Sequence, residues 1–130
     1  MSESSQTYAI NKKVKAAGVY TLKIQTMMNN GVPDCWYSGN KNYLFAEMKY
    51  IAKLPKKSGT LIQPKLSDLQ IEWLGNRYIE GRNVCVIIGS PDGWCIQTEP
   101  QWWENPIHKI ELSNTRNEVV EWIIEQTTHA

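Results

Sequence analysis

The sequence predicts an α/β (α+β) layer fold: a mixed central sheet flanked by helices, in the order helix, three strands, helix, strand or hairpin, helix. Three observations carry that expectation. Short runs rich in β-formers alternate with two segments of helical apolar spacing. The run Val84-Cys85-Val86-Ile87-Ile88 is continuously apolar over strand length, as in a central strand buried on both faces. The segment 67–70 reads Ser-Asp-Leu-Gln, a capping box that opens a helix between the first strands and that run.

Each element follows in order. Ala9, Ile10, Lys13, Val14 and Ala17 have helical spacing, and Ala17-Gly18 marks a helix end. Residues 19–24, Val-Tyr-Thr-Leu-Lys-Ile, alternate and predict a strand. Asn29-Asn30-Gly31-Val32-Pro33 predicts a turn. Residues 35–37 and 43–51 predict two strands joined by a tight connection, so that 34–51 forms a hairpin. A loop spans 55–64. The helix opened by Ser67 carries Ile71, Leu74 and Tyr78 on one face and ends at Gly81. After the buried strand, Ser90-Pro91-Asp92-Gly93 turns into Trp94-Cys95-Ile96-Gln97. A last helix runs from about Asn114, with Val119, Val120, Trp122, Ile123 and Ile124 buried or partly buried.

A chain of 130 residues predicts one domain over 1–130, and 42% hydrophobic with 21% charged residues is ordinary for a soluble protein. No apolar run has spanning length, and the N-terminal residues lack a signal-peptide layout. The expected setting is therefore cytoplasmic, with no membrane partner. Cys35, Cys85 and Cys95 are odd in number and show no CxxC spacing, which argues against a metal knuckle or a disulfide framework. The net charge is only +1. The charge is unevenly placed, however: residues 48–67 contain no acid but hold Lys49, Lys53, Lys56, Lys57 and Lys65. Such a patch can hold phosphates, or it can be a solvated loop.

The chemistry-bearing residues are Asp34, after a Pro turn, and Glu47-Met48-Lys49 within an apolar run. Facing arms of a hairpin bring Asp34 and Glu47 within reach of one another. Residues two apart on a strand share a face, so Glu47 and Lys49 project together while Met48 points to the core. Two carboxylates suffice for Mg²⁺, which takes oxygen ligands and keeps several waters, and the Met48 carbonyl is a further candidate ligand. Each piece also has a plain structural reading. Pro-Asp is a common turn pair, and Pro91-Asp92 is a second copy that a hairpin turn explains. Glu47 and Lys49 alone could form a surface ion pair. Together, charges inside an apolar strand need a partner or a task.

Gly-Val-Pro-Asp at 31–34, Glu-x-Lys-Tyr at 47–50 and Leu-Ser-x-Leu-Gln at 66–70 resemble, in that order, the motifs of the PD-(D/E)xK nuclease superfamily. Within it they resemble the virus-type replication-repair nucleases (VRR-NUC), especially the small stand-alone members found in phages. The resemblance implies a restriction-endonuclease-like core of αβββαβ order. It implies a metal, Mg²⁺ or Mn²⁺, on Asp34, Glu47 and the Met48 carbonyl, with Lys49 as the catalytic lysine and Gln70 reaching into the site. It implies a DNA endonuclease of repair or recombination in a bacterial cytoplasm or a phage-infected host cell. The preferred substrate is branched DNA such as a Holliday junction. Many relatives also carry an acid on the first helix; here the upstream acid is Glu3, a possible additional metal ligand.

Beside the site, Lys53, Lys56, Lys57 and Lys65 are candidate DNA-backbone contacts. Lys12, Lys13 and Lys15 read as a solvated helix face, and Arg77 and Arg82 as either phosphate contacts or surface residues. Trp102-Trp103 cover the core, stack on unpaired bases or form a dimer contact. Resolving a junction takes two cuts, so a symmetric homodimer is expected. The alternatives are a flap, nicking or restriction-type nuclease, and a non-catalytic DNA-binding module whose acids form structural pairs.

Overall fold

The computed structural model describes residues 2–24, 31–57, 59–103 and 105–129, except the side chains of Gln101 and Trp102. The elements are α1 (Glu3–Ala16), β1 (Tyr20–Lys23), β2 (Cys35–Ser38), β3 (Tyr43–Tyr50), α2 (Asp68–Ile79), β4 (Val84–Gly89), β5 (Trp94–Gln97), the single turn α3 (Pro100–Trp103), a 3₁₀ turn (Lys109–Glu111) and α4 (Arg116–Thr127). The Asn29-Asn30 part of the expected turn, and the side chain of Trp102, lie outside the described residues.

The strands form one sheet in the order β1-β2-β3-β4-β5. β3 and β4 pair in parallel and every other pair is antiparallel, so the sheet is mixed. The parallel step requires a crossover, which α2 supplies. One face of the sheet packs Tyr37, Leu44, Ala46, Met48, Cys85 and Ile87 against Ile10 and Val14 of α1 and Val119 and Ile123 of α4. The other packs Val84, Val86 and Ile88 against Leu74 of α2 and Trp103 of α3. β4 thus sends side chains into both layers, which is why its sequence does not alternate. Trp103 is a core residue, its indole N–H bonded to the Gln97 carbonyl at 3.2 Å.

All three long helices start on a capping box: Ser2 with Ser5, Ser67 with Gln70, and Thr115 with Glu118. α1 begins well before its apolar spacing because Ser2 caps it. That start brings Glu3 into the first turn. Asn11 is buried on the inner face of α1, where it accepts from Tyr37 Oη at 2.6 Å.

Candidate metal and phosphodiester site

The site grows from the place where β2 begins beside β3. The ladder between them pairs Cys35 with Ala46, and continuing it by one residue sets Asp34 opposite Glu47. The N–H of Phe45 turns toward β4, bonding Asn83 O, so by alternation those of Met48 and Tyr50 face the β2 side. β2 offers no ladder partner there. Two carboxylates take its place: Asp34 Oδ2 accepts from Met48 N at 3.0 Å, and Glu3 Oε2 from Tyr50 N at 3.4 Å. A strand residue sends its N–H and C=O out on the same side, so the Met48 carbonyl faces Asp34.

Gly31 fixes the approach of this segment to α2. Its φ is +84°, and a Cβ there would lie 2.1 Å from the Leu69 carbonyl oxygen. Only glycine fits so close to the first turn of the helix. Gln70, in that same turn, donates from Nε2 to Glu47 Oε2 at 2.9 Å, while its Oε1 accepts from Ser67 N at 2.9 Å. Lys49 Nζ lies 3.6 Å from Glu47 Oε2.

Glu47 is therefore the centre of the cluster. It is only 2% exposed, and its second oxygen, Oε1, is buried with no hydrogen-bond partner. Burial pushes its carboxyl up to about 8, and the neighbouring Asp34 charge adds to the rise. Lys49 opposes the shift, and Glu3 contributes to it from further off. A buried, orphaned carboxylate oxygen next to a second acid is a cost the fold carries unless a proton or a cation sits there. The donor set suits a hard cation that keeps water ligands. Among the described residues, no three His, Cys, Asp or Glu side chains close around one point, so the protein alone would not encage a metal.

The expected residues thus divide. Asp34, Glu47, Lys49 and Gln70 come together, with Glu3 at the margin. Lys53, Lys56, Lys57 and Lys65 are exposed on the connection between β3 and α2 and pair with no carboxylate among the described residues. Lys65 holds a φ of +58° two residues before the cap of α2. Arg77 and Arg82 are both engaged by Glu80. Gly31 was visible to the sequence only as a turn residue; its tight seat on Leu69 has no local signal. Cys35 is buried, as its position on the opposite face required.

The fold is of the restriction-endonuclease-like α+β class. It is similar to that of Hjc, a Holliday junction resolvase from the archaeal hyperthermophile Archaeoglobus fulgidus, with a TM-score of 0.58 over 91% of this chain and 97% of that one at 17% identity. A VRR_NUC domain is similar with a TM-score of 0.50 over 68% of this chain and 84% of the other, at 21% identity. No protein-family profile matches the sequence, and no curated protein matches it. The resemblance read from the three motifs is borne out at the level of fold. No helix among the described residues is long and apolar enough to cross a membrane.

Proposed function

We propose that this protein is a metal-dependent DNA endonuclease. The observation that carries the reading is the buried Glu47 carboxylate, with an orphaned oxygen, set between Asp34, Lys49 and Gln70. The likeness in fold to a Holliday junction resolvase adds support for DNA as substrate and for a branched structure as the preferred one.

Asp34 and Glu47 would hold a divalent cation, Mg²⁺ or Mn²⁺, with the Met48 carbonyl as a third candidate oxygen. When bound, that ion neutralises the phosphate and acidifies a water. Lys49 orients the attacking water in line with the ester oxygen that leaves, and its charge stabilises the phosphorane-like transition state. Gln70 fixes the rotamer of Glu47 through Oε2, which leaves Oε1 available to a ligand. The exposed lysines Lys53, Lys56, Lys57 and Lys65 hold the flanking backbone. Among the described residues their charge is unpaired, and it lies on the connection that leaves the site strand.

A four-way junction needs two nicks, and one chain carries one such site. A symmetric homodimer supplies the second. β1 is an edge strand, with Tyr20 and Leu22 exposed beside Trp36, an apolar sheet face that a second copy can cover.

The test is cleavage of end-labelled duplex, single-strand, flap and four-way junction DNA with Mg²⁺, Mn²⁺ or EDTA, using wild type and Lys49→Ala. Metal-dependent cutting that the variant loses supports the nuclease, and paired symmetric nicks support a resolvase. No cutting of any substrate, with DNA binding indifferent to metal, would leave a binding module instead. A monomer by light scattering at micromolar concentration would sink the dimer.

A further inference from the structure

On the opposite side of the sheet from Glu47 and Lys49 lies an open cavity of about 650 Å³. Its walls are α1, the first turn of α4, the end of β3 and the turn after β4. Tyr50 and Trp94 form its apolar part, their rings 5.9 Å apart. Two cations reach it from segments far apart in sequence, Lys13 on α1 and Arg116 on α4.

Both cations are held by amides and not by acids. Arg116 Nη1 donates to Gln6 Oε1 at 3.0 Å, and Lys13 Nζ donates to Asn117 Oδ1. Among the described residues neither forms an ion pair and no Asp or Glu lines the cavity. The adjacent acids are used elsewhere: Glu3 by the Tyr50 N–H and Glu118 by the Thr115 N–H. Neutral partners fix where the two charges point without cancelling them, which leaves their field for an anion. Lys13 is therefore more than part of a solvated helix face.

We infer that this cavity is a second phosphate site, in which Lys13 and Arg116 hold a non-scissile phosphate of the DNA strand. The inference rests on the nucleic-acid reading of the Glu47 site. Two features favour nucleic acid over a free anion. Lys49 and Tyr50 are consecutive, so one strand end serves both sites. A polynucleotide repeats its phosphate at every nucleotide, so a strand crossing the end of β3 presents one to each. The Tyr50 hydroxyl makes no hydrogen bond among the described residues and is a further donor at the cavity.

The test is DNA affinity as a function of salt, measured by anisotropy in EDTA so that nothing is cut. The probes are oligonucleotides with and without a 5′-terminal phosphate. Each cation removed should lower the slope of log K against log salt by about 0.9 on duplex DNA. Lys13→Gln and Arg116→Gln should each show this loss, and Lys12→Ala, outside the cavity, should not. A loss confined to the phosphorylated oligonucleotide assigns a strand end, and an equal loss on both assigns an internal phosphate. Slopes unchanged in both variants overturn the inference. Arg116→Gln also gives up the bond to Gln6; should it unfold, exposed Lys13→Gln alone decides. Wild type that cuts DNA with unchanged variant slopes fails this site only. Wild type that shows the slopes but cuts nothing fails the nuclease reading only.

Discussion

Gln70 and Glu47 are joined by the half of the Gln70 amide that the helix cap leaves over. Its oxygen closes the first turn of α2 and its nitrogen holds the buried carboxylate. One side chain thus ties the integrity of a helix end to the rotamer of the central acid. The two duties can be separated. Gln70→Ala loses both, costing about 1 kcal/mol of stability and roughly ten- to a hundredfold in cleavage. Gln70→Glu keeps a capping-box residue at N3 but sets a like charge against Glu47. It should melt near wild type and still cut poorly. Equal cleavage by Gln70→Glu and wild type at neutral pH would mean that the contact with Glu47 does not matter to the chemistry.

The raised carboxyl of Glu47 gives the metal-free protein a pH dependence of definite sign. Its folded value of about 8 lies above the ordinary 4.5, so folding favours the protonated form. This group's contribution to stability is complete below pH 4.5 and is lost as pH rises through about 8. A cation requires the ionised form, so its affinity should climb up to tenfold per pH unit toward about 8 and level off above. Thermal melts at pH 6, 7.5 and 9, with and without Mg²⁺, read both effects. A metal-induced shift that is the same at pH 6 and pH 9 would contradict this.

Asp34→Asn keeps an oxygen for the Met48 N–H and removes a charge from beside Glu47. The fold should survive. The apparent value of Glu47 should fall toward the ordinary range, because the Asp34 charge is one cause of its rise. Metal affinity should nevertheless drop, by at least tenfold, since a ligand is lost. Calorimetric titration with Mn²⁺ at two pH values distinguishes the two effects.

Lys49→Ala should leave metal binding in place and lower cleavage by roughly a hundredfold or more, the scale of losing one transition-state charge contact. Single-turnover cutting at saturating metal is the measurement. A tenfold loss of metal affinity with unchanged single-turnover rate would reassign Lys49 to holding Glu47.

Gly31→Ala forces a side chain toward the Leu69 carbonyl at a backbone angle that disfavours it. We expect a loss of about 2 kcal/mol or more. Cleavage should fall even at temperatures where the variant stays folded, because Asp34 follows the same turn. Chemical denaturation and assays in parallel test this.

The sheet was legible because its strands announce themselves by two different patterns. The segment around β1 alternates, and β4 does not, since both its faces are covered. The pairing of Asp34 with Glu47 followed from hairpin logic. Other parts had no local signal. α1 starts at Glu3 because a serine pair caps it, not because of apolar spacing, so the reach of Glu3 to Tyr50 could not be read in advance. The single turn α3 and the 3₁₀ turn at Lys109–Glu111 are too short for periodicity. The bridge between Ile62 and Ile107 joins two loops across 45 residues, a distance at which neither sequence hints at the other. Lys13 reads as surface because its cavity exists only once α4 docks on α1.

β3 is a two-sided strand whose faces differ completely in purpose. Glu47 and Lys49 look toward one layer, Met48 and Tyr50 toward the other. Its period of two makes it intolerant of any change in length. Inserting or deleting one residue within β3, between Tyr43 and Glu47, would rotate the acid into the oily layer under α1 and α4 and bring Met48 out in its place. Substitutions along β3 can be absorbed one at a time, but the count of residues along the strand cannot drift. That spacing, more than any single side chain, is the part of this chain least free to change.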